Sequence, residues 1–355
     1  MMIAESRGVG RDARISICIP HYNRMLHLIE ALKSFEVQTY RDFEVVVSDD
    51  NSTDERAALV LSFLSQTDLR YKYWRNIRNC GYDGNIRNAI DMSSGEFILL
   101  MGNDDRLYGK SVLSDLADAI ARYPNAGAII TNYRELGSGR VFTRARSTGS
   151  LGSGPIVAAG NFRNYSFVSG IALHGSAARA ASSPTVDGSE MYQMYLGTRL
   201  VAAGRDLIEV DSICVEKDIR IDGEEVDSYR SKNGHDLAKA RHLPMQHLLR
   251  VVWAGISSSA DIAVGRKICS SAARQLYGYT YPFWGVEYRR TKSWVFAANV
   301  VFGVRPSIVA ASTPLGIGQR AGLWLQYLLT CGGSLLVPIR AFDALRPRLY
   351  RMAKR

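Results

Sequence analysis

The stretch Gly95-Glu96-Phe97-Ile98-Leu99-Leu100-Met101-Gly102-Asn103-Asp104-Asp105 is an apolar run that ends at two adjacent carboxylates. Phe97 to Met101 is too short and too continuously apolar for an amphipathic helix, and it predicts a buried strand. Ligands of open α/β sheets bind outside the carboxyl ends of the strands. Two carboxylates there repel each other unless a cation joins them, and Mg²⁺ prefers oxygen ligands. The stretch therefore predicts a divalent-cation site for the phosphates of a nucleotide or, as the alternative, a plain turn.

Similar short apolar runs alternate with helical patterns through the first part of the chain. The further predicted strands are residues 15–19, 43–47, 69–74 and 128–130. This alternation is typical of a Rossmann-like α/β fold, in which a mostly parallel sheet has helices on both faces. A second acid pair, Asp49-Asp50, ends the second of these strands. The sequence has neither GxGxxG after the first strand nor GxxxxGK[ST], so dinucleotide and P-loop sites lose their main support.

The composition is that of an ordinary globular protein. The chain has 355 residues, of which 46% are hydrophobic and 22% are charged, and this length predicts two domains. Its five cysteines are scattered and form no CxxC pair, so the sequence indicates neither a disulfide framework nor a zinc site. A reducing cytosol fits this cysteine pattern, and the chain does not open with the pattern of a signal peptide.

Positive charge is concentrated at the C-terminal end of the chain. From Arg241 to Arg355 there are 16 Lys and Arg residues and 3 Asp and Glu residues, a balance of +13. Since the whole chain carries +10, residues 1–240 carry −3. The predicted organisation is a loose terminus at 1–14, an α/β domain at 15–234 with a mobile Gly/Ser-rich loop at 137–160, and a helical, basic, aromatic region at 235–355.

Two apolar runs in the basic region bear on membrane contact. Residues 294–301 and 323–338 are each shorter than the roughly 20 residues that a helix needs to span a bilayer. Interfacial helices beside anionic lipid fit these runs better than a span does. The alternative is a helical core that packs on the first domain and leaves a basic face in solvent.

Several motifs, in order along the chain, resemble those of the family 2 glycosyltransferases. They are Ile17-Cys18-Ile19-Pro20-His21-Tyr22-Asn23-Arg24, Val47-Ser48-Asp49-Asp50-Asn51-Ser52-Thr53-Asp54, Asn79-x-Gly81, Asn85, Asn88, Gly95-Glu96 and Asp104-Asp105. The resemblance is close over residues 15–133 and loose over 166–215, and it implies the GT-A fold. The Gly-Asn-Asp-Asp form is most similar to the abequosyltransferase-like branch of the family.

The resemblance implies roles for two groups of residues. The implied nucleotide-binding residues are Pro20, Tyr22 and Arg24 beside the base, Asp50 as an acceptor of a base N–H, Gly81, Asn88 and Asp104. Asp105 would ligate Mn²⁺ or Mg²⁺ on the diphosphate, and Asp104 would touch the ribose or the water shell of the metal. Many members of the family carry a further acid at the position of Gly102, so this sequence implies that coordination depends more on Asp105.

The implied reaction is inverting transfer of a hexosyl or deoxyhexosyl group from a nucleoside-diphosphate sugar to an acceptor hydroxyl. A carboxylate would take the proton of the acceptor. The family often has a Glu-Asp pair near the start of a helix for this task, and the pair is missing here. Glu190 is the first candidate and Asp187 the second, while the alternative for Glu190 is a helix cap. Arg78, Arg87 and Arg220 are candidates for holding the diphosphate.

The leading hypothesis is a bacterial enzyme of surface-polysaccharide (O-antigen type) or lipid-linked oligosaccharide assembly. It would be cytoplasmic and peripheral on the inner face of the cytoplasmic membrane, with an anionic membrane surface and a glycan or lipid-linked glycan acceptor as partners. A non-catalytic nucleotide-sugar-binding protein on the same scaffold is the alternative. Nucleic-acid binding ranks last, because the aromatic residues of the basic region are not interleaved with Lys and Arg. Oligomeric state cannot be deduced from this sequence.

Overall fold

Two units make up the chain in this computed structural model, Met1–Val226 and Asp227–Arg355. The structure describes residues 2–5, 13–221, 237 and 239–353. The predicted boundary at residues 234–235 lies outside this range.

One sheet of eleven strands is formed by the described residues of the first unit, in the spatial order β1-β4-β3-β2-β5-β10-β7-β11-β6, with β8 beside β7 and β9 beside β11. The strands are β1 (Met2–Glu5), β2 (Ile15–His21), β3 (Phe43–Asp49), β4 (Tyr71–Arg75), β5 (Phe97–Leu100), β6 (Arg106–Leu107), β7 (Ala126–Glu135), β8 (Val141–Phe142), β9 (Gly149–Gly152), β10 (Ile171–His174) and β11 (Asp206–Lys217). The helices are α1 (Met25–Glu36), α2 (Ala57–Gln66), α3 (Gly81–Met92), α4 (Val112–Arg122), α5 (Pro155–Gly160), α6 (Gly175–Ala180) and α7 (Tyr192–Ala202).

Three of the apolar runs form strands that are buried on both faces of the sheet. Every residue of β2, β3 and β5 is buried, as expected for parallel strands covered by helices. β2 pairs in parallel with both β3 and β5, and Ile15 lies opposite Phe43 on one side and Phe97 on the other. The carboxyl ends of these three strands therefore meet at one edge of the sheet, which confirms the predicted mostly parallel α/β architecture.

The middle of the sheet departs from a simple parallel order. β10 lies between β5 and β7 and is antiparallel to both. β7 pairs in parallel with β11 on its other side. The predicted strand at 128–130 is thus not the neighbour of the strand that ends at the acid pair. Sequence periodicity indicates which segments are strands but not which strands pair, since pairing depends on contacts distant in sequence.

Two segments predicted to be loose have regular structure. Within the predicted loose terminus, Met2–Glu5 forms an edge strand that pairs antiparallel with β4. Within the predicted mobile loop at 137–160 lie β8, β9 and the short helix α5, and β9 is antiparallel to β11. The polar, Gly- and Arg-containing terminus and the Gly/Ser-rich segment give no sequence signal for these strands, because short, weakly patterned strands are stabilised by backbone hydrogen bonds to a neighbouring strand.

The second unit is helical, as predicted. Its helices are α8 (Leu248–Ile256), α9 (Ile262–Gln275), α10 (Tyr281–Thr291), α11 (Trp294–Gly303), α12 (Pro306–Val309), α13 (Ile317–Tyr327), α14 (Gly333–Leu336) and α15 (Ile339–Ala353). π-helical turns at Leu276–Thr280 and Leu328–Gly332 join α9 to α10 and α13 to α14. Of the helices in the described ranges, none is long and apolar enough to cross a membrane.

Candidate functional site

Asp50 follows β3 and lies at the N-terminus of α3. Its Oδ1 accepts hydrogen bonds from Cys80 N at 2.8 Å and Asn76 Nδ2 at 3.0 Å, and its Oδ2 accepts from Gly81 N at 3.0 Å. The first amide groups of a helix favour a negative charge. Gly81 adopts φ +74, which an L side chain rarely adopts. The structure thus brings together two predicted nucleotide-binding residues, Asp50 and Gly81.

Asn88 joins this cluster through a second asparagine. Asn88 Nδ2 donates to Asn76 Oδ1 at 3.0 Å, and Asn76 Nδ2 lies 3.2 Å from Asn85 Oδ1. A pocket of about 350 Å³ opens beside these amides and is also lined by Trp74 and Arg78. Asn76, which no motif had indicated, therefore connects Asn88 to Asp50.

The loop after β2 is tied to the loop after β3. Asn23 N donates to Ser52 Oγ at 2.8 Å, and Thr53 N donates to Asn23 Oδ1 at 2.9 Å. Tyr22 is about half exposed in this loop (47%). Pro20, by contrast, is buried within β2. Of these two predicted base-binding residues, only Tyr22 presents its ring at the surface of the site.

Arg24 connects this loop to the acid pair. Its backbone is left-handed, with φ 59, and its guanidinium forms an ion pair with Asp104 Oδ2. Both side chains are largely buried, so this pair is less screened than a surface ion pair. The structure therefore brings together Arg24 and Asp104, which are 80 residues apart in sequence.

Asp105 is the buried member of the acid pair. Ser169 Oγ donates to its Oδ2, and Asp218 N donates to its Oδ1 at 3.1 Å. Burial, with the neighbouring charge of Asp104, raises the pKa of Asp105 to about 8. A carboxyl of this kind is costly to ionise unless a positive charge lies close to it.

Gly102 leaves space between the two carboxylates. A Cβ at this position would lie 2.9 Å from Asp105 Oδ2, 3.1 Å from Asp104 Oδ1 and 3.4 Å from Ser169 Oγ. Three hard oxygen atoms thus border one small space, and a further acid in place of Gly102 would displace them. Within the described residues, no three His, Cys, Asp or Glu side chains are arranged to hold a metal ion. These oxygens suit a Mg²⁺-like cation whose shell is completed by phosphate and water.

Glu190 is positioned by an acid in the first turn of α3. Asp83 accepts hydrogen bonds from Glu190 N at 2.8 Å and Tyr192 N at 3.1 Å. Glu190 is exposed and has a left-handed backbone, φ 56. Burial, and then the carboxylates of Asp83, Glu190 and Asp104, raise the pKa of Tyr82. Glu190 and Asp104 therefore both contribute negative charge to the surroundings of the Tyr82 hydroxyl.

Asp187, the second candidate base, has another partner. Its carboxylate forms an ion pair with Arg87, one of the candidate diphosphate-binding residues. Arg220 lies with its guanidinium against Gly137. Asp187 and Arg220 thus have contacts of their own away from the acid pair in sequence, whereas Glu190 contributes to the charge around Tyr82.

Arg144 is a residue that no motif had indicated. It donates to the carbonyl oxygens of Thr131 at 2.6 Å, Phe167 at 2.9 Å and Ser169 at 2.8 Å. Burial lowers its pKa to about 10. It therefore fixes the segment whose Ser169 hydroxyl holds Asp105. The sequence gives little signal for this role, because Arg144 lies in the Gly/Ser-rich segment with no pattern around it.

Comparison with known proteins gives a family match for the first part of the chain. Residues 16–177 match the model of the family described as glycosyl transferase family 2. The GalNAc(5)-diNAcBac-PP-undecaprenol beta-1,3-glucosyltransferase of Campylobacter jejuni is 39% identical over 95 residues, which are 26% of this chain and 30% of that protein. Abequosyltransferase RfbV of Salmonella typhimurium is 34% identical over 95 residues, 26% of this chain and 28% of that protein. The matches thus span less than a third of these curated relatives.

Similarity to solved structures covers more of the chain than these sequence matches do. The crystal structure of S. aureus TarS 1-349 superimposes with a TM-score of 0.61 at 14% identity, covering 93% of this chain and 91% of that one. The same fragment in complex with UDP-GlcNAc gives a TM-score of 0.59 at 16% identity, with the same coverage.

Replacement of Arg144 by lysine tests its positioning role. Arg144→Lys keeps the charge but cannot span three carbonyl groups, so we expect a loss of about 1–3 kcal/mol in the free energy of unfolding. A double-mutant cycle with Ser169→Ala, measured by urea denaturation, should give a coupling energy above about 0.5 kcal/mol. The exposed Arg140, replaced by lysine, is the matched control. Additive effects of Arg144→Lys and Ser169→Ala would contradict the role.

The burial of His21 predicts that the free energy of unfolding depends on pH. It is fully buried, and burial lowers its pKa to about 4. The unfolded chain binds a proton near pH 6.5, so His21 contributes stability above that pH, and this is lost as the pH falls towards 4. We expect His21→Gln to remove part of the acid-side loss of unfolding free energy, whereas His242→Gln, at an exposed histidine, should not. Parallel pH profiles for wild type and His21→Gln would contradict the assignment.

Proposed function

We propose, on the premise that the chain belongs to glycosyl transferase family 2 through residues 16–177, that it is an inverting glycosyltransferase. It would move a hexosyl or deoxyhexosyl group from a nucleoside-diphosphate sugar to an acceptor hydroxyl. The observation that carries the proposal is the meeting of Asp50, Arg24 and the Asp104-Asp105 pair at the carboxyl ends of three parallel strands.

Asp50 and Tyr22 are proposed to hold the nucleobase. Among the described residues, Asp50 Oδ2 accepts one hydrogen bond, from Gly81 N, so it can also accept from a base N–H. Its other oxygen is fixed by Cys80 N and Asn76, and the carboxylate is therefore preorganised. The half-exposed ring of Tyr22 offers a face on which a base can stack.

Asp105, together with Asp104, is proposed to hold Mn²⁺ or Mg²⁺ on the diphosphate. A bound divalent cation stabilises the negative charge of the leaving diphosphate. Ser169 and Asp218 N fix the Asp105 carboxylate, so little rearrangement is needed when a cation arrives. Arg24 forms an ion pair with Asp104, and its guanidinium would also suit a phosphate oxygen of the donor.

Glu190 is proposed as the general base. The acceptor oxygen forms a bond to the anomeric carbon, the bond from that carbon to the diphosphate oxygen breaks, and the acceptor proton moves to the Glu190 carboxylate. Asp83 accepts a hydrogen bond from Glu190 N and so fixes its left-handed backbone, while the Glu190 side chain is exposed and accessible to an acceptor. Asp187 ranks below Glu190 because its carboxylate is paired with Arg87.

The proposed setting is surface-polysaccharide or lipid-linked oligosaccharide assembly, with a glycan or lipid-linked glycan as the acceptor. The printed names of the relatives include transfer to an undecaprenol-linked glycan and abequosyl transfer. We propose a cytoplasmic protein peripheral on the inner face of a bacterial membrane, because the basic C-terminal segment complements anionic lipid.

One observation favours a second candidate, a non-catalytic protein that binds a nucleotide sugar. The family's Glu-Asp pair is missing, and one of the two remaining candidate bases is held in an ion pair. This candidate predicts donor binding with no release of nucleoside diphosphate.

A turnover assay distinguishes the two. Purified protein is incubated with UDP-, GDP-, CDP- and dTDP-sugars, Mn²⁺ and lipid-linked glycans, and the release of nucleoside diphosphate is measured. We expect Glu190→Gln to lower kcat about 100-fold or more with little change in donor affinity, because only proton transfer is lost. Asp105→Asn should weaken Mn²⁺-dependent donor binding instead.

Glu96→Gln is the matched control, because Glu96 is an exposed acid at the opposite end of β5. Its kinetics should equal those of the wild type. Full turnover by Glu190→Gln would refute the assignment of the base. Donor binding without turnover by the wild type would establish the non-catalytic candidate.

A further inference from the structure

One helical segment of the second unit is apolar on both of its faces. α13, the π-helical turn and α14 follow one another without a break from Ile317 to Leu336, and we call this segment the apolar helix. Arg320 is its one charged residue in the sequence. A helix that is apolar all round is normally enclosed by protein or by lipid.

One face of the apolar helix packs into the second unit. Leu323, Tyr327 and Cys331 recur every four residues and are buried. The opposite face is open, with Leu325, Leu328, Leu329 and Leu336 exposed by 62%, 61%, 69% and 79%. Leu325, Leu328 and Leu329, at three- and four-residue spacing, form an exposed apolar stripe that Leu336 extends two turns later, and a water-facing helix would not have such a stripe.

Cations border the stripe on the neighbouring helix α9. Gln319 Nε2 donates to Arg266 O at 3.3 Å, and Gln326 Nε2 donates to Arg274 O at 2.9 Å, so α9 runs beside the apolar helix. The side chains of Arg266, Lys267 and Arg274 are exposed. Positive charge thus lies alongside the apolar face.

The acidic residues between Arg241 and Arg355 do not neutralise this positive charge. Between Arg241 and Arg355 the acids are Asp261, Glu287 and Asp343. Asp261 caps α9 by accepting from Val264 N at 2.8 Å, while Glu287 and Asp343 both pair with Arg290. The segment keeps a large positive surplus, which an anionic surface would complement.

Two tryptophans mark the edges of the stripe. Trp324 is 38% exposed on the apolar helix itself. Trp294 is 54% exposed and donates its indole N–H to Leu335 O at 3.0 Å, which places it beside the end of the stripe. Tryptophan favours the boundary between hydrocarbon and water, because its ring is apolar and its N–H is polar.

We propose that the exposed leucine face of the apolar helix inserts into the interfacial region of an anionic lipid bilayer, with the α9 cations on the headgroups. A helix with an apolar face and adjacent cations lies in the plane of the interface and binds anionic lipid most strongly. The inference names the surface for the membrane location proposed above, and it does not depend on sugar transfer.

The test is flotation of the full chain with phosphatidylcholine vesicles that contain about one third phosphatidylglycerol. We expect wild type to float with these vesicles and to bind pure phosphatidylcholine vesicles more weakly. The triple variant Leu325→Ser, Leu328→Ser, Leu329→Ser should bind the anionic vesicles about 100-fold more weakly. The control is Ile77→Ser with Ile156→Ser, which removes two isoleucines of the first unit exposed by 92% and 74% and should leave binding unchanged.

A second measurement tests insertion without the triple variant, because misfolding alone would also remove binding by that variant. Brominated lipids should quench the fluorescence of wild type, and the quenching should fall in Trp324→Phe with Trp294→Phe. Equal vesicle binding by wild type and the triple variant would overturn the proposal. The proposal would also be overturned if light scattering showed a dimer for wild type and a monomer for the triple variant while vesicles retained neither protein. In that case a second copy of the chain would cover the leucine face. Nucleoside-diphosphate release with a water-soluble acceptor should be equal in both proteins, so failure here is separate from failure of the proposed activity.

Discussion

The burial of a carboxylate beside a second carboxylate is the constraint on which the first unit depends. Asp105 lies in the loop that follows the fully buried strand β5, and the neighbouring charge of Asp104 adds to its cost of ionisation. The surrounding chain offsets this cost with directed donors, Ser169 Oγ, Asp218 N and, for Asp104, the Arg24 guanidinium. Each donor comes from a different part of the sheet. Asp105 therefore stays costly to ionise beside Asp104, and a further cation would lower that cost, which favours a binding site over a plain turn at this position.

The sheet order explains how these donors arrive. β10, inserted antiparallel between β5 and β7, places the segment with Ser169 beside the end of β5. β11 is long and irregular in register, and Asp218 follows directly after it. Arg144 then joins β7 to the Ser169 segment through three carbonyl groups. Since a cation near Asp105 would be held through these contacts, changes far from the acid pair are expected to alter the site.

Local sequence patterns predict many of the strands and helices. The pairing of strands that are distant in sequence cannot be predicted from those patterns. The strands that precede Asp50 and Asp105 follow from apolar runs bounded by turn residues, and the structure has them as β3 (Phe43–Asp49) and β5 (Phe97–Leu100). Neither Ser169 nor Arg144 could be recognised, because their roles depend on which strands are neighbours. The segment 137–160 was predicted to be mobile from its glycine and serine content, yet part of it pairs with β11. The position of Glu190 before a helix makes it a candidate general base in the sequence. Its left-handed backbone and the hydrogen bond from its N–H to Asp83 are seen only in the folded chain.

The central claim is that Asp104 and Asp105 complete a cation site only together with a nucleoside diphosphate. Calorimetric titration of Mn²⁺ into the protein, alone and with saturating UDP, GDP, CDP or dTDP in turn, tests it directly. Two protein carboxylates are too few for a tight site of their own, so Mn²⁺ affinity should rise at least about tenfold with the matching nucleotide and fall back in Asp105→Asn. Mn²⁺ affinity unaffected by every nucleotide, or nucleotide affinity unaffected by removal of Mn²⁺ with chelator, would contradict the claim.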